Sequence, residues 1–346
     1  MNHLNNNNNL HNVKKRGCKI KQKIIDLFTS KYIKNIAITF HFSPDGDAIG
    51  SAVALSLALE SIGKHVDIIT KAYSAIFTPI LKNVNIVKTV KKKYDLCILV
   101  DCSSRERTIN LDAISKLLIV IDHHINCTPI GQYYYCKDKP AAVMIIFEFL
   151  MQMNINITPE IATALYLGLY TDTSGFTNSN MSVEVFHQAA ILMTKGADLA
   201  TINQICKTKT LSMFKVLSEV FTRIIYDNEY RIVYLVLMKE DLDKYNVSYD
   251  IVEYLMEELK YIKDTEVSFL FIESFNNTKV KARSNGNVLI NKIMEKFGGN
   301  GFPKAAGTVI ESTNIYYIVD NIISSTKQYI DLLLPEIKQH QQNKTF

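Results

Sequence analysis

One imidazole and two carboxylates fall within seven residues in the spacing His41-x-x-x-Asp45-x-Asp47. They belong to the stretch Thr39-Phe40-His41-Phe42-Ser43-Pro44-Asp45-Gly46-Asp47-Ala48-Ile49-Gly50-Ser51. Carboxylates gathered on one tight turn repel each other and lose hydration unless something positive joins them, and a divalent cation is the simplest such group. The same residues also fit a plainer arrangement, an Asp-Gly turn with a capping Asp and an incidental His. Elsewhere two apolar runs end in similar groups: Asp95–Val100 leads into Asp101, and Leu117–Ile121 leads into Asp122-His123-His124.

These groups need elements to hold them. Ile36–Phe42 is apolar and stops at Ser43-Pro44, as a short buried strand does, and Ala48–Gly63 has helical apolar spacing. With Val66–Thr70 as the next strand, they form a β-α-β unit whose strands are parallel and whose crossover is right-handed. Three strands then deliver acids or histidines at their carboxyl ends, the edge where an open α/β sheet binds ligands. Ala141–Met153 reads as a buried helix. Pro159–Leu169 is another, with Thr158 as N-cap and proline in the first turn. It runs into Tyr170-Thr171-Asp172-Thr173-Ser174-Gly175-Phe176, where Asp172 suits either a turn or a metal.

The chain has 346 residues, enough for two domains, and its 47% hydrophobic and 21% charged composition is that of a soluble globular protein. No apolar run approaches the ~18 residues that a membrane span needs. The Asn-rich start, residues 1–19, lacks the apolar core of a signal peptide and is set aside as a disordered leader. Six cysteines without C-x-x-C spacing fit buried free thiols in a reducing cytoplasm. The net charge of +5 permits an anionic substrate but argues against duplex nucleic acid. His65 and His187 stand apart from these stretches and read as structural or surface residues.

Taken in order, His41-x-x-x-Asp45-x-Asp47, Asp101, Asp122-His123-His124 and Asp172 resemble the four motifs of the DHH phosphoesterases, over residues from about Ile36 to Ala200. The resemblance implies two divalent metals, most often Mn²⁺, with Mg²⁺ or Co²⁺ as substitutes. His41, Asp45 and Asp101 would hold one, and Asp47, Asp101, His123 and Asp172 the other, with Asp101 shared. Carboxylates and imidazoles suit Mn²⁺, and a shared carboxylate allows two cations ~3.5–4 Å apart that activate a water and clamp a phosphate. Asp122 would orient a motif histidine, His124 would face the phosphate or leaving oxygen, and Arg107, better aligned than Arg105, would hold a substrate phosphate.

Lys207–Tyr226 has helical spacing and reads as a connector, residues 207–226, between a catalytic domain at 20–206 and a second domain at 227–338. In the latter, Tyr230–Met238, Val267–Glu273 and Lys279–Arg283 read as strands, and Ser248–Lys260 and Val288–Phe297 as helices. The expected fold is therefore α/β, a parallel-sheet domain joined by a helical linker to a smaller mixed α/β domain. Arg283-Ser284 together with Gly298-Gly299-Asn300-Gly301-Phe302 resembles the substrate-binding signature of the domain that accompanies many DHH proteins. Most relatives carry four glycines followed by a histidine in this loop, where this chain has Asn300 at the third glycine position and Phe302 at the histidine position. Phe302 can stack on a base but neither carries charge nor donates a hydrogen bond.

The resemblance implies a cytoplasmic phosphoesterase, with dimers common among relatives. It acts on short single-stranded RNA, linear or cyclic dinucleotides such as pApA and cyclic di-AMP, or 3′-phosphoadenosine 5′-phosphate. Two alternatives stay open: a catalytically weak nucleotide sensor, for which only Phe302 speaks, and an exopolyphosphatase, against which the Arg283 and glycine-rich signature speaks.

Overall fold

The computed structural model describes residues 19–102, 104–124, 130–178, 181–247, 251–312 and 314–342, without the side chains of residue 253 and residues 334–342. The expected leader lies outside the described residues up to residue 18, and residues 19–29 form helix α1. The chain divides into two compact units at Thr208/Lys209.

In the first unit, β1 (Asn35–Thr39), β2 (His65–Ile69), β3 (Asn85–Val87), β4 (Leu96–Val100), β5 (Leu118–Asp122) and β6 (Tyr133–Cys136) form one sheet in the order β3-β2-β1-β4-β5-β6. Every neighbouring pair is parallel, with Ile36 beside Val66 and Leu96, and Ile98 beside Ile119. The order reverses between β1 and β4. At such a switch point the loops leaving the two strands diverge and open a crevice at their carboxyl ends.

Both faces of the sheet are covered, so its strands are apolar throughout rather than alternating. Leu96, Ile98 and Val100 belong to the larger core with α2 (Gly46–Ser61), α3 (Ala142–Gln152) and α4 (Pro159–Asp172). Cys97 and Leu99 turn to a smaller core on the other side, with Leu111, Ile114 and Val120. The N-cap of α4 is Thr158, as expected, accepting from the Ile161 N–H at 3.4 Å. Helices α5 (Val183–Thr194) and α6 (Leu199–Lys207) complete the unit. Cys97, Cys102, Cys136 and Cys206 are free thiols, while Cys18 and Cys127 lie outside the described residues.

The second unit opens with α7 (Leu211–Phe221). The expected connector is thus broken between α6 and α7. Val216, Leu217 and Val220 of α7 pack into the second unit's core, because their apolar stripe needs a partner. The unit's sheet is mixed, in the order β11-β12-β10-β9-β8-β7. Its strands are β7 (Ile225–Asp227), β8 (Ile232–Leu237), β9 (Val267–Glu273), β10 (Thr278–Ser284), β11 (Asn300–Phe302) and β12 (Ala305–Ile310). One face packs on α10 (Ile290–Glu295) and α11 (Ile315–Gln342), and the other on α7, α8 (Lys239–Tyr245) and α9 (Ile251–Lys260). Among the described residues no helix is long and apolar enough to cross a membrane.

Glycines set how closely α2 and α4 approach. A Cβ on Gly50 would lie 2.3 Å from the Ala164 backbone oxygen, and one on Gly168 would lie 2.8 Å from Asp47 Oδ1. Helix propensity alone favours alanine over glycine by ~1 kcal/mol. Here the collision with backbone reverses the sign. Gly50→Ala is expected to lower stability by roughly 1–3 kcal/mol, read from the midpoint of urea unfolding; a midpoint that rises would show that the two helices have room.

Candidate metal centre

The loop after β1 carries His41, Asp45 and Asp47. Asp45 is the N-cap of α2, and its Oδ1 accepts from the Asp47 and Ala48 N–H groups at 3.0 Å each. The capping role that the sequence left open for an Asp is therefore real. Asp47, in the first turn, points away from its own helix. Its carboxylate accepts from Ala142 N–H at 2.6 Å and Val143 N–H at 2.9 Å, the exposed donors at the start of α3. Helix α3 has no side-chain cap of its own, so Asp47 serves it from 95 residues away.

Asp101 ends β4 with φ +51°, a left-handed backbone that a non-glycine residue adopts at a cost of order 1–3 kcal/mol. Its N–H still bonds Ile121 O at 3.0 Å, so the sheet holds the backbone while the side chain turns into the crevice. Asp101 is 3% exposed, and its two oxygens face different imidazoles: Oδ2 lies 3.7 Å from His41 Nε2, and Oδ1 lies 3.3 Å from His123 Nε2.

The ligand atoms of His41, Asp45 and Asp101 lie within 4.8 Å of one another, and so do those of Asp47, His123 and Asp172. A third such group comprises Asp101, Asp122, His123 and His124. All six residues expected to hold metal are brought together. His123 Nδ1 lies 2.9 Å from the Lys139 carbonyl. A carbonyl only accepts, so Nδ1 carries the proton and the lone pair of the neutral ring sits on Nε2. That Nε2 faces carboxylate oxygens of Asp101, Asp172 and Asp47 at 3.3, 3.4 and 3.8 Å. Acceptors facing acceptors need a positive species between them. His41 Nδ1 and Asp101 Oδ1 are also buried with no hydrogen bond among the described residues. Carboxylates and imidazoles so arranged fit a divalent cation.

The electrostatics of the metal-free site record the same crowding. Burial, then the charges of Asp101 and Asp172, push Asp47 well above the carboxylate range. Asp172, at the end of α4, is raised to about 7 by burial and by Asp101 and Asp45, against the pull of His123. Asp45 is raised by desolvation and by Asp101, although its outer side reaches solvent. Burial also raises Asp101, but the neighbouring His123 and His41 outweigh it and bring it down to about 2. Burial lowers His123, yet the surrounding acids lift it to about 10, so that the metal-free ring holds a second proton among the carboxylates.

Asp122 is fully buried. Its Oδ1 accepts from His123 N–H at 2.8 Å and lies 2.7 Å from His124 Nδ1. The oriented histidine is therefore His124. Arg105 pairs with Asp112 at 3.0 Å. Arg107 is exposed, and no carboxylate pairs with it among the described residues. Its carbonyl accepts from Phe42 N–H at 2.8 Å, which ties its segment to the loop of His41. His65 and His187 are exposed and lie outside the cluster.

In the second unit Arg283 lies on one face of β10, whereas Ser284 alternates to the opposite face with Val280 and Ala282. Gly298 (φ +73°) and Gly301 (φ +146°) hold the turn around β11 in conformations that favour glycine, and Asn300 and Phe302 are exposed. Sequence reasoning missed the Lys139 carbonyl, the α3 N-terminus and the left-handed Asp101. None of these has a residue-type signal. Gly168 within a helical pattern was a readable sign of close approach.

A doubly wound sheet with acids and imidazoles at its switch point, followed by a second mixed domain, defines a two-domain α/β phosphoesterase. The chain belongs to the DHH family: residues 35–169 match the DHH family N-terminal domain, and residues 229–328 match the DHHA1 domain. It is 27% identical to the bifunctional oligoribonuclease and PAP phosphatase NrnA of Thermus thermophilus, over 85% of this chain and 89% of that protein. Against the protein of the same description from Mycoplasma genitalium it is 26% identical, over 87% and 95%. In fold it is similar to the crystal structure of an exopolyphosphatase-related protein from Bacteroides fragilis, with TM-score 0.81 and 23% identity over 92% and 98% of the two chains.

The Asp122–His124 pair yields a direct test. Asp122 is the largest influence raising the His124 imidazole. In metal-free protein, Asp122→Asn should move the His124 titration downward, toward ~6.5, as followed by ¹⁵N NMR of the ring. A titration unmoved by the substitution would remove Asp122 from this role.

Proposed function

We propose that this protein is a Mn²⁺-dependent phosphodiesterase and phosphatase of short nucleotides. Its substrates would be oligoribonucleotides of a few residues, linear or cyclic dinucleotides such as pApA and cyclic di-AMP, or 3′-phosphoadenosine 5′-phosphate. The observation that carries the proposal is Asp101, with one oxygen toward the His41 group and the other toward the His123 group, as a carboxylate shared by two cations requires. The similarity to the NrnA proteins supports the substrate class.

In this reading His41, Asp45 and Asp101 hold one cation, and Asp47, Asp101, His123 and Asp172 the other. Two such cations would supply an activated water and neutralise phosphate oxygens. The chain's own residues do the rest. The Lys139 carbonyl keeps His123 Nε2 unprotonated and aimed at the carboxylates. Asp122 keeps the His124 Nδ1 proton in place, and His124 would face the phosphate or the leaving oxygen. Arg107 contributes a guanidinium at the rim for a non-bridging oxygen. In the second domain Arg283, Gly298, Gly299, Asn300, Gly301 and Phe302 would engage a nucleotide, with Phe302 stacking on a base, whereas Ser284, expected in this set, turns to the opposite, buried face of β10. The mild net charge offers little grip on duplexes. A cytoplasmic homodimer is the form we expect.

Purified protein with Mn²⁺ should hydrolyse at least one of pApA, cyclic di-AMP, two- to five-nucleotide RNA and 3′-phosphoadenosine 5′-phosphate. Asp101→Ala should abolish turnover. Asp122→Asn should keep the metal but slow turnover roughly 10–100-fold. Nucleotide binding with metal bound and no turnover on any substrate would favour a sensor, and turnover of polyphosphate alone would overturn the proposal.

Mn²⁺ should also raise the thermal midpoint of the first unit's unfolding, and EDTA should lower it, because a ligand bound only by the folded state stabilises it by mass action. No shift at metal concentrations that saturate activity would argue against this cluster as the site.

A further inference from the structure

Phe42 follows His41 directly and is 44% exposed at the carboxyl edge of the first sheet. Its backbone is held on two sides. The Phe42 N–H donates to the Arg107 carbonyl at 2.8 Å, and the Thr108 hydroxyl donates to the Phe40 carbonyl at 2.8 Å. These bonds tie the extension of β1 to the segment after β4, across the switch point where an open α/β sheet binds ligands. Phe40 takes the core position at 3% exposure, while the Phe42 ring stays outside the core.

The neighbouring strand β2 leads into Lys71, whose Nζ lies over the Phe42 ring, 5.5 Å from its centroid. The Lys71 backbone is fixed as well. The preceding Thr70 donates its N–H to the Val87 carbonyl at 3.2 Å and its hydroxyl to the Ala72 carbonyl at 2.9 Å. Among the described residues no other ring packs against Phe42, and no carboxylate pairs with Lys71 or Arg107. A single exposed phenylalanine is ordinary on a protein surface. This one stands on a pinned stem next to a candidate metal ligand, with a cation on one face and a second cation, Arg107, on the segment that pins it. A cation over one face leaves the other for a flat ligand, and an aromatic ring stacks on any nucleobase because every base has a π-face.

We propose that Phe42 is a specificity-determining residue of the first unit: the base of the nucleotide whose phosphate the metal centre holds stacks on its ring, with Lys71 on the opposite face. The contact selects nucleotides, whatever their base, over phosphates that carry none, such as polyphosphate or a sugar phosphate. This rests on the proposed nucleotide hydrolysis for its substrate class, but the test is separable from it.

The chain contains no tryptophan, so Phe42→Trp places a single fluorescent reporter at this position. In the full chain with saturating Mg²⁺, AMP should quench the indole emission saturably, and ribose 5-phosphate should not. The reporter placed instead by Tyr32→Trp, at an exposed position before β1, should respond to neither ligand. By calorimetry, Phe42→Ala should weaken AMP binding about tenfold, within the range of a lost base stack, and leave ribose 5-phosphate binding unchanged. Phe42→Tyr should restore AMP binding, with unfolding midpoints confirming that the variants fold. A reporter silent at AMP concentrations that saturate binding would overturn the assignment. So would undetectable AMP binding, or a Phe42→Ala variant that binds AMP as wild type does or weakens both ligands equally. Hydrolysis of nucleotides with a silent reporter would sink this inference alone. A responsive reporter without hydrolysis under Mn²⁺ would sink only the reading as an enzyme.

Discussion

Four carboxylates converge at one sheet edge, and their mutual repulsion is the constraint that the first unit is built to withstand. Asp45, Asp47, Asp101 and Asp172 meet around His41 and His123, with Asp47, Asp101 and His41 buried and Asp45 open to solvent. Each can be an anion there only if something positive faces it. The fold supplies part of that from the backbone: the α2 N-terminus serves Asp45, and the α3 N-terminus serves Asp47. Asp101 draws on two imidazoles. What remains uncompensated is the region between His123 Nε2 and the carboxylates, which a proton fills in the metal-free protein and a divalent cation fits.

Helix packing then becomes part of the chemistry. Asp172 reaches the cluster only because α4 lies against α2 closely enough for Gly50 and Gly168 to touch backbone and the Asp47 carboxylate. Asp101 reaches it only because β4 ends in a left-handed turn that the sheet enforces through Ile121. Stability is given up at both places for position, as is usual where strain and a functional group coincide.

The second unit handles charge differently. It leaves the Arg283 guanidinium partly desolvated, in the same cross-strand row as Ala305 and Phe302. Phe302, the departure from the usual histidine, lies in the Arg283 row and not apart from it.

Much of the fold was legible in the chain. Apolar runs such as Leu96–Val100 and Leu118–Ile121 announced buried parallel strands, Thr158-Pro159 announced a helix start, and the order of His41, Asp45, Asp47, Asp101, Asp122, His123, His124 and Asp172 announced the site. These are local signals: composition, periodicity and spacing. Short β3, β6 and β11 were not legible, because three or four residues carry too little pattern and are strands only by pairing with a neighbour. Nor could the sequence choose which acid cap α3 uses, which tautomer His123 holds, or that Ser284 turns away from Arg283. Those were decided by backbone groups and sheet register, which bring together atoms 16 to 96 residues apart and leave no mark on the identity of any single residue.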